Sequence, residues 1–354
     1  MKDKYRAGIY DPYLDTLGGG ERYTMTVAYC LAQKGWQVDV FWDDRGIGKK
    51  LKERLGIDLR KINFAPNIFQ KKFFQKQQQM KSYDLIFYLS DGSVPFLFAK
   101  KNILHFQVPF HDVGGKKPLN TIKLKRIDAV ICNSRLTKKF IDEEYGVKSQ
   151  VIYPPVAVEE FKPGQKKNII LSVGRFSRLM QAKRHDVLID SFTQMTEGLD
   201  DWQLILAGGT DVGKDKAFEE LKKSLKGFPI EIKENPSFSE LKKLYAQAKI
   251  FWTAAGFGVD ENKEPERVEQ FGITTVEAMA AGCVPIVINK GGQPEIVNHN
   301  QNGLLWKSKQ ELIEQTLKII KDNKLREKLA KAAQKRAKDF SQKRFCHEFR
   351  KIVS

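Results

Sequence analysis

Short, strongly apolar segments alternate with segments of helical periodicity along this chain, and this alternation constrains the fold more than any other feature. The predicted strands include Val38–Trp42, Asp84–Leu89, Asn102–Phe106, Ala129–Cys132, Ile169–Val173, Gln203–Ala207 and Val284–Ile288. Several are apolar at consecutive positions, which is typical of strands buried on both faces. Strands that alternate with helices form parallel sheets. The sequence therefore predicts an α/β protein.

Two predicted helices have well-marked ends. Glu21–Lys34 is followed by Gly35, and Leu136–Tyr145 is preceded by Ser134 and followed by Gly146. Serine is a preferred N-cap residue, and glycine commonly ends a helix because it adopts a left-handed conformation easily.

The alternation pauses at Pro154-Pro155 and Pro163-Gly164 and restarts at Ile169, so we place a domain linker there. A length of 354 residues also favours two domains of roughly 100–200 residues each. We predict domains at 1–158 and 159–338, followed by a C-terminal helix at 339–354. After about Leu304 only helical patterns remain.

The chain has 61 Lys and Arg against 43 Asp and Glu, which raises the hypothesis of a nucleic-acid or anionic-membrane partner. The excess lies in residues 1–155 and 301–354, whereas residues 156–300 are slightly acidic. No apolar segment is long enough to span a membrane, and the first residues lack the apolar core of a secretion signal. We therefore expect an unsecreted, cytoplasmic protein.

The four cysteines are Cys30, Cys132, Cys283 and Cys346, and no two of them are close in sequence. This spacing indicates neither a disulfide framework nor a zinc cluster, and it fits a reducing cytosol.

A glycine triplet, 18–20, precedes the helix that begins at Glu21. Glycine lets a backbone approach a ligand closely, and the free N–H groups of a helix start favour a phosphate. A flexible turn is an equal alternative.

The segment Pro265–Gly282 is more specific. Gly272 precedes a predicted helix, Thr274–Ala281, whose first N–H groups would attract an anion. Glu269 lies before that end and Glu277 lies within the helix, so one carboxylate could contact a sugar and the other a ribose. The alternative is two surface glutamates on an ordinary amphipathic helix.

These residues resemble the signature of the retaining glycosyltransferases of family 4. The resemblance rests on Glu269 and Glu277 with Phe271-Gly272 between them, and on motifs spread along nearly the whole chain. Those motifs are Gly18–Arg22, Cys132–Ser134, Tyr153–Val156, Ser172–Phe176, Gly291–Glu295 and Asn302–Leu304. The resemblance implies the GT-B fold, in which two Rossmann-like, doubly wound domains face each other across a cleft. The first domain would serve the acceptor and the second the donor, and the last helix would cross back to the first domain.

The resemblance also implies roles for individual residues. Arg175 and a following lysine would neutralise the donor diphosphate, and Glu269 would bind the donor-sugar hydroxyls. The matching lysine is Lys183, eight residues after Arg175 rather than the usual five, so Arg178 and Arg184 are alternatives.

The same resemblance assigns donor-binding residues and one histidine. Glu277 would bind the nucleotide ribose, and the backbone N–H groups of Phe271, Gly272 and Ile273 would complete the site for phosphate and sugar. From the two helix starts we add Gly19, Gly20 and Thr274 to the donor-binding set. His105 would face the donor sugar, with His111 as a second choice.

The resemblance implies transfer of a hexose, of mannose or glucose type, from a UDP- or GDP-sugar to a glycan or lipid-linked acceptor. The mechanism would act on a single face of the sugar with retention, without a metal or other cofactor. A sugar phosphorylase on the same fold is an alternative. A basic RNA-binding protein is another, although no RNA-binding motif occurs and we expect no nucleic-acid partner.

Aromatic residues and lysines interleave in Phe69–Lys81, as they do in interfacial helices. We therefore expect a peripheral contact of the first domain with an anionic membrane. An ordinary half-buried helix with a basic solvent face is an equal alternative.

Overall fold

The structure of the protein is a computed structural model. It describes residues 5–16, 18–44, 46–176, 183–195, 199, 201–210, 225 and 227–353. The chain divides into two compact units. Unit 1 comprises Met1–Pro155 and Gln342–Ser354, and unit 2 comprises Val156–Ser341.

Unit 1 is built on a sheet of seven parallel strands in the order β3-β2-β1-β4-β5-β6-β7. The strands are β1 (Arg6–Tyr10), β2 (Gln37–Phe41), β3 (Ile62–Ala65), β4 (Leu85–Leu89), β5 (Lys101–Phe106), β6 (Ala129–Cys132) and β7 (Gln150–Val151). The helices of this unit are α1 (Gly19–Ala32), α2 (Ile47–Leu55), α3 (Phe73–Met80), α4 (Pro118–Leu124), α5 (Arg135–Tyr145) and α12 (Gln342–Val353).

Unit 2 is built on a sheet of six parallel strands in the order β10-β9-β8-β11-β12-β13. The strands are β8 (Lys167–Val173), β9 (Gln203–Gly208), β10 (Ile230–Glu234), β11 (Ala248–Thr253), β12 (Val284–Ile288) and β13 (Leu304–Trp306). The described helices are α6 (His185–Thr193), α7 (Phe238–Gln247), α8 (Ile273–Ala280), α9 (Gln293–Ile296), α10 (Lys309–Lys321) and α11 (Asn323–Ala337).

The predicted strands and the two predicted helices are present within a few residues of their predicted ends. Ser134 caps α5 by accepting a hydrogen bond from the N–H of Thr137 at 3.1 Å, and Gly146 ends it with a φ of 65°. Sequence reasoning missed the apolar, almost fully buried strand β11 and also strands of lower apolar content. The clearest of the latter is β10, an edge strand that is charged at three of its five positions and largely exposed.

One cysteine prediction is wrong. Cys30 on α1 and Cys346 on α12 form a disulfide, although 316 positions separate them in sequence. Both lie in the apolar core of unit 1, where Phe345 contacts Tyr23 edge-on with a centroid distance of 4.8 Å. The packing of α12 against α1, not sequence proximity, brings the sulfur atoms together. The cysteines therefore do not indicate a reducing compartment.

Candidate active site

The chain leaves β8 at the carboxyl edge of the unit 2 sheet, the edge where α/β proteins bind ligands. A hydrogen bond from the N–H of Gly174 to the carbonyl of Ala207, 2.9 Å long, keeps this turn against β9. The contact requires glycine at 208, because a Cβ there would lie 1.8 Å from the carbonyl oxygen of Gly174. Arg175 follows directly and is exposed. Within the described part of the chain its guanidinium has no hydrogen-bond or ion-pair partner.

Lys183 and Glu269 are paired within unit 2. The Nζ of Lys183 donates to Oε2 of Glu269 at 2.5 Å, and the two side chains are only 21% and 17% exposed. Lys183 reaches this position across Gly174, where a Cβ would lie 2.6 Å from the lysine Cγ. The structure thus brings together the lysine predicted to bind the diphosphate and the glutamate predicted to bind the sugar.

The backbone of Glu269 is held by a glycine pair whose contribution the sequence did not reveal. The N–H of Gly292 donates to the Glu269 carbonyl at 2.7 Å. Gly291 has a φ of 62°, and a Cβ there would lie 2.3 Å from that same carbonyl oxygen. Side chains at either position would push the two segments apart, so Gly291-Gly292 fixes the position of the Glu269 backbone. The paired glycines were the available sequence signal.

The N-terminus of α8 lies just after Glu269. Gly272 caps the helix with a φ of 113° and packs so closely on Gln293 that a Cβ would lie 2.6 Å from its Nε2. The N–H groups of Ile273 and Thr274 in the first turn have no acceptor inside the helix, and they carry the positive end of its dipole. The side chain of Phe271 is buried, so this residue has only its backbone to offer a ligand.

Glu277 lies in the second turn of α8 and is held by a residue that sequence reasoning missed. The hydroxyl of Tyr245, on α7, donates to Oε2 of Glu277 at 2.9 Å. Tyr245 is fully buried, and burial together with the neighbouring carboxylate raises its pKa well above the ordinary value. The hydroxyl therefore stays protonated and acts as a permanent donor to Glu277.

The alternatives to Lys183 differ from it in their surroundings. Arg184 donates from its NH2 group to Oδ2 of Asp186 at 2.8 Å and from its NH1 group to the carbonyl of Phe257 at 2.5 Å. These contacts direct its guanidinium towards residues of its own unit. Arg178 lies outside the described residues.

The glycine triplet of unit 1 forms the start of α1. Gly18 is the N-cap, and Gly19 and Gly20 are the first helical residues. The carboxylate of Glu21 is buried and accepts a hydrogen bond from the N–H of Gly18 at 2.5 Å. The side chain of Gln107 also contacts this turn, because its Nε2 donates to the carbonyl of Gly20 at 3.1 Å. A phosphate at this helix start would meet the Glu21 carboxylate, which makes the site less favourable for an anion than the triplet alone indicates.

His105 lies on β5 inside the core of unit 1. It is fully buried, stacks on Tyr23 with a centroid distance of 4.0 Å, and makes a 3.0 Å hydrogen bond from Nδ1 to the carbonyl of Ile131. Burial lowers its pKa to about 3, so the ring is neutral. In this position its ring contacts core residues, and Gln107, two positions further on, contacts the glycine turn instead. His111 is partly exposed and lies beside Asp112.

Asp11 follows β1 and is a buried acid that the sequence did not reveal. It is 1% exposed, and its Oδ1 accepts a hydrogen bond from the N–H of Tyr13 at 2.9 Å. Burial, and then the nearby Glu21 carboxylate, raise its pKa to about 7. Unit 1 thus has two buried carboxyl groups beside the start of α1.

In the part of the chain that the structure describes, no three or more His, Cys, Asp or Glu side chains are grouped to hold a metal ion. None of the helices described there has the length and apolar character needed to cross a bilayer.

Comparison with known families assigns both units. Residues 157–336 match the family described as glycosyl transferases group 1, and residues 17–160 match glycosyltransferase family 4. The chain belongs to glycosyltransferase family 4. This confirms the family predicted from the motifs around Glu269 and Glu277.

A curated relative of this family 4 chain is a GDP-Man:Man(3)GlcNAc(2)-PP-Dol alpha-1,2-mannosyltransferase of Dictyostelium discoideum. It is 28% identical over 228 residues, covering 60% of this chain and 43% of the relative. The chain spans less than two thirds of the length of the first curated relatives it matches.

Solved structures agree on the fold. A glycosyltransferase of Rickettsia africae superposes with a TM-score of 0.78 at 21% identity, over 99% of both chains. The structure of Anabaena HepE with UDP and glucose gives 0.74 at 17% identity, again over 99% of both chains. With the two parallel sheets, these likenesses confirm the predicted α/β fold of GT-B type.

Proposed function

We propose that this family 4 protein transfers a hexose, of mannose or glucose type, from a UDP- or GDP-sugar to a glycan or lipid-linked acceptor, with retention of configuration. The observation that carries the proposal is the ion pair of Lys183 and Glu269 beside the start of α8. The Dictyostelium relative is named for a GDP-mannose donor and a dolichol-linked acceptor, and HepE was solved with UDP, which supports this substrate class.

Charge separation sets the barrier when a sugar leaves a nucleoside diphosphate. Arg175, Lys183 and the N–H groups at the start of α8 belong to one unit and supply fixed positive charge for the departing diphosphate. Preorganised charges of this kind stabilise a transition state without reorganisation during the reaction. A metal is then not required for leaving-group departure.

The ion pair also couples diphosphate binding to sugar binding. When a diphosphate enters, Lys183 gains a second anionic partner and its hold on Glu269 weakens. The carboxylate of Glu269, whose backbone is kept in place by Gly291-Gly292, then accepts hydrogen bonds from the sugar hydroxyls. Glu277, oriented by Tyr245, accepts the ribose hydroxyls in the same way.

Retention through two displacements needs a carboxylate nucleophile behind the anomeric carbon, whereas we assign Glu269 to the sugar hydroxyls. We therefore place both bond changes on one face of the sugar. The bond from the anomeric carbon to the phosphate oxygen breaks, and the bond to the acceptor oxygen forms on the same face. The leaving phosphate takes the acceptor proton.

The donor is tested by a thermal-shift screen with UDP-, GDP- and ADP-hexoses. The true donor stabilises the fold by mass action, by about 2.7 kcal/mol when its concentration is 100 times its dissociation constant. Stabilisation by none of the nucleotide sugars would contradict the proposal.

The role of Glu269 is tested by Glu269→Ala. We expect transfer to be abolished while binding of the nucleoside diphosphate stays within about threefold, since Glu269 contacts the sugar and not the diphosphate. Glu264→Ala is the matched control, because Glu264 pairs with Arg267 at the surface, and it should keep full activity. A fully active Glu269→Ala enzyme would overturn the assignment.

A further inference from the structure

Large apolar side chains are exposed on one region of unit 1. Phe74 at the start of α3 is 80% exposed and its neighbour Phe73 is 47% exposed, while Leu119 and Ile122 on α4 are each 55% exposed. Single exposed apolar residues need no explanation, but a contiguous group marks a binding surface.

The aromatic residues form one cluster. The ring centroid of Phe73 lies 5.7 Å from Phe74, 6.3 Å from Phe96 and 5.9 Å from Phe98. Phe96 and Phe98 belong to the loop between β4 and β5, so the fold joins two segments that are separate in sequence.

Helix α4 extends this cluster. The Nζ of Lys123 lies 5.3 Å from the ring centroid of Phe96, and the guanidinium carbon of Arg126 lies 4.5 Å from that of Phe98. Leu119 and Ile122 are three positions apart, and Lys123 is four after Leu119, so these side chains share one face of the helix. We call the combined region, Phe73-Phe74, 96–98 and 118–126, the aromatic-basic surface.

The two segments that carry α3 and α4 are basic, while the loop between β4 and β5 contains Asp91 and Lys100. Residues 61–83 contain five lysines and no Asp or Glu, and residues 113–127 contain four lysines, one arginine and no Asp or Glu. Cations that surround exposed apolar side chains match the headgroup region of an anionic bilayer. A protein interface core is instead depleted in lysine, and Leu119 and Ile122 have no ring on which a nucleic-acid base could stack.

We propose that the aromatic-basic surface docks the protein on an anionic phospholipid bilayer. The exposed Phe, Leu and Ile side chains enter the interface, and the surrounding lysines and Arg126 contact the headgroup phosphates. The inference adds to the proposed function the place where a lipid-linked acceptor is presented, and vesicle binding tests it without any nucleotide sugar.

The structure also changes which residues of Phe69–Lys81 can contact a membrane. Phe69 packs against Tyr10 and Phe41 with centroid distances of 4.5 Å and 5.7 Å, and Met80 is buried. Within this segment only the first turn of α3 therefore contributes apolar side chains to the surface. The loop between β4 and β5 and helix α4, which the sequence did not single out, contribute the rest.

The test is flotation with vesicles of phosphatidylcholine alone or mixed with phosphatidylglycerol. We expect flotation with the mixed vesicles only, and weaker flotation at high salt. Lys123→Gln with Lys125→Gln should weaken binding by about 25-fold, because each cation near an anionic surface contributes about fivefold. Phe74→Ser should weaken binding by about tenfold, since the variant loses about half of the free energy gained by transferring a full Phe ring out of water.

Matched controls come from unit 2. Lys328→Gln with Lys331→Gln changes two exposed lysines of α11, and Phe228→Ser changes another exposed ring. Both controls should float like the unaltered protein.

Three results would overturn the proposal. These are an absence of flotation, equal flotation with both vesicle types, and equal losses in surface and control variants. A change of oligomeric state in Phe74→Ser, measured by sedimentation velocity, would assign the surface to a second copy instead. RNA binding that Phe74→Ser abolishes while flotation persists would assign it to nucleic acid. Sugar transfer to a water-soluble acceptor should be unaffected by Phe74→Ser. This assay therefore distinguishes a failure of the proposed transferase function from a failure of the proposed membrane docking.

Discussion

Replacing Tyr245 with phenylalanine removes one oxygen atom and tests how Glu277 is held. The lost atom is the donor of the 2.9 Å hydrogen bond to Oε2 of Glu277. The ring stays in place, so the core of unit 2 keeps its packing. The change therefore removes the donor to the carboxylate without creating a large cavity.

The expected magnitude follows from the surroundings of the two groups. A hydrogen bond to a charged group contributes about 1.5–3 kcal/mol, and we take the lower end because water can partly replace the donor at the half-buried Glu277. A loss of about 1.5 kcal/mol lowers the melting temperature of a unit of this size by about 3–6 °C. If the carboxylate binds the ribose, the same loss of orientation weakens binding of the nucleoside diphosphate by about tenfold.

The assay combines thermal unfolding with calorimetric titration of the nucleoside diphosphate selected by the donor screen. Tyr145→Phe is the matched control, because its buried hydroxyl donates to the carbonyl of Gly92 at 2.5 Å in unit 1. The control should lower the melting temperature and leave nucleotide affinity unchanged. Unchanged affinity in Tyr245→Phe as well would refute the reasoning, since the hydroxyl would then serve stability alone.

Two further predictions concern unit 1. Reduction of the Cys30–Cys346 disulfide by dithiothreitol should lower the free energy of unfolding by about 2–4 kcal/mol. The double alanine variant at these positions should not respond to dithiothreitol, and an equal response would show that the disulfide is not the cause. The pKa of Asp11 is about 7 in the folded protein and 3.8 in the unfolded chain. Asp11 therefore does not lower the free energy of unfolding below pH 3.8, and it lowers it progressively more as the pH rises to 7. The difference in free energy of unfolding between Asp11→Asn and the unaltered protein should therefore increase by about 2–3 kcal/mol from pH 5 to pH 8, as measured by denaturant titrations. A difference that does not change with pH would contradict this.

The sequence was sufficient for the fold and for the family, because both depend on local patterns. Apolar strands buried on both faces, such as Val284–Ile288, are visible as continuous apolar segments. The capped helix Arg135–Tyr145 carries its start and stop residues with it. The donor motif around Glu269 lies within one segment, so its order and spacing could be recognised directly.

The contacts between distant segments could not be predicted in this way. The pairs Cys30–Cys346, Tyr245–Glu277 and Lys183–Glu269 each join residues that only the tertiary fold brings together. The burial of His105 likewise depends on the sheet and on the helices packed against it. The sequence around a histidine near a strand end does not show whether its side chain points to solvent or to the core.

The discontinuity of unit 1 has a consequence for the order of events during synthesis. Its last helix, Gln342–Val353, is made only after all of Val156–Ser341 has been synthesised. At 5–20 residues per second this takes roughly 10–40 s. Throughout that time the face of α1 around Tyr23 and Cys30 lacks its final cover. The apolar face of α1 is therefore exposed to aggregation until α12 packs on it, and unit 2 can complete its own core before unit 1 does.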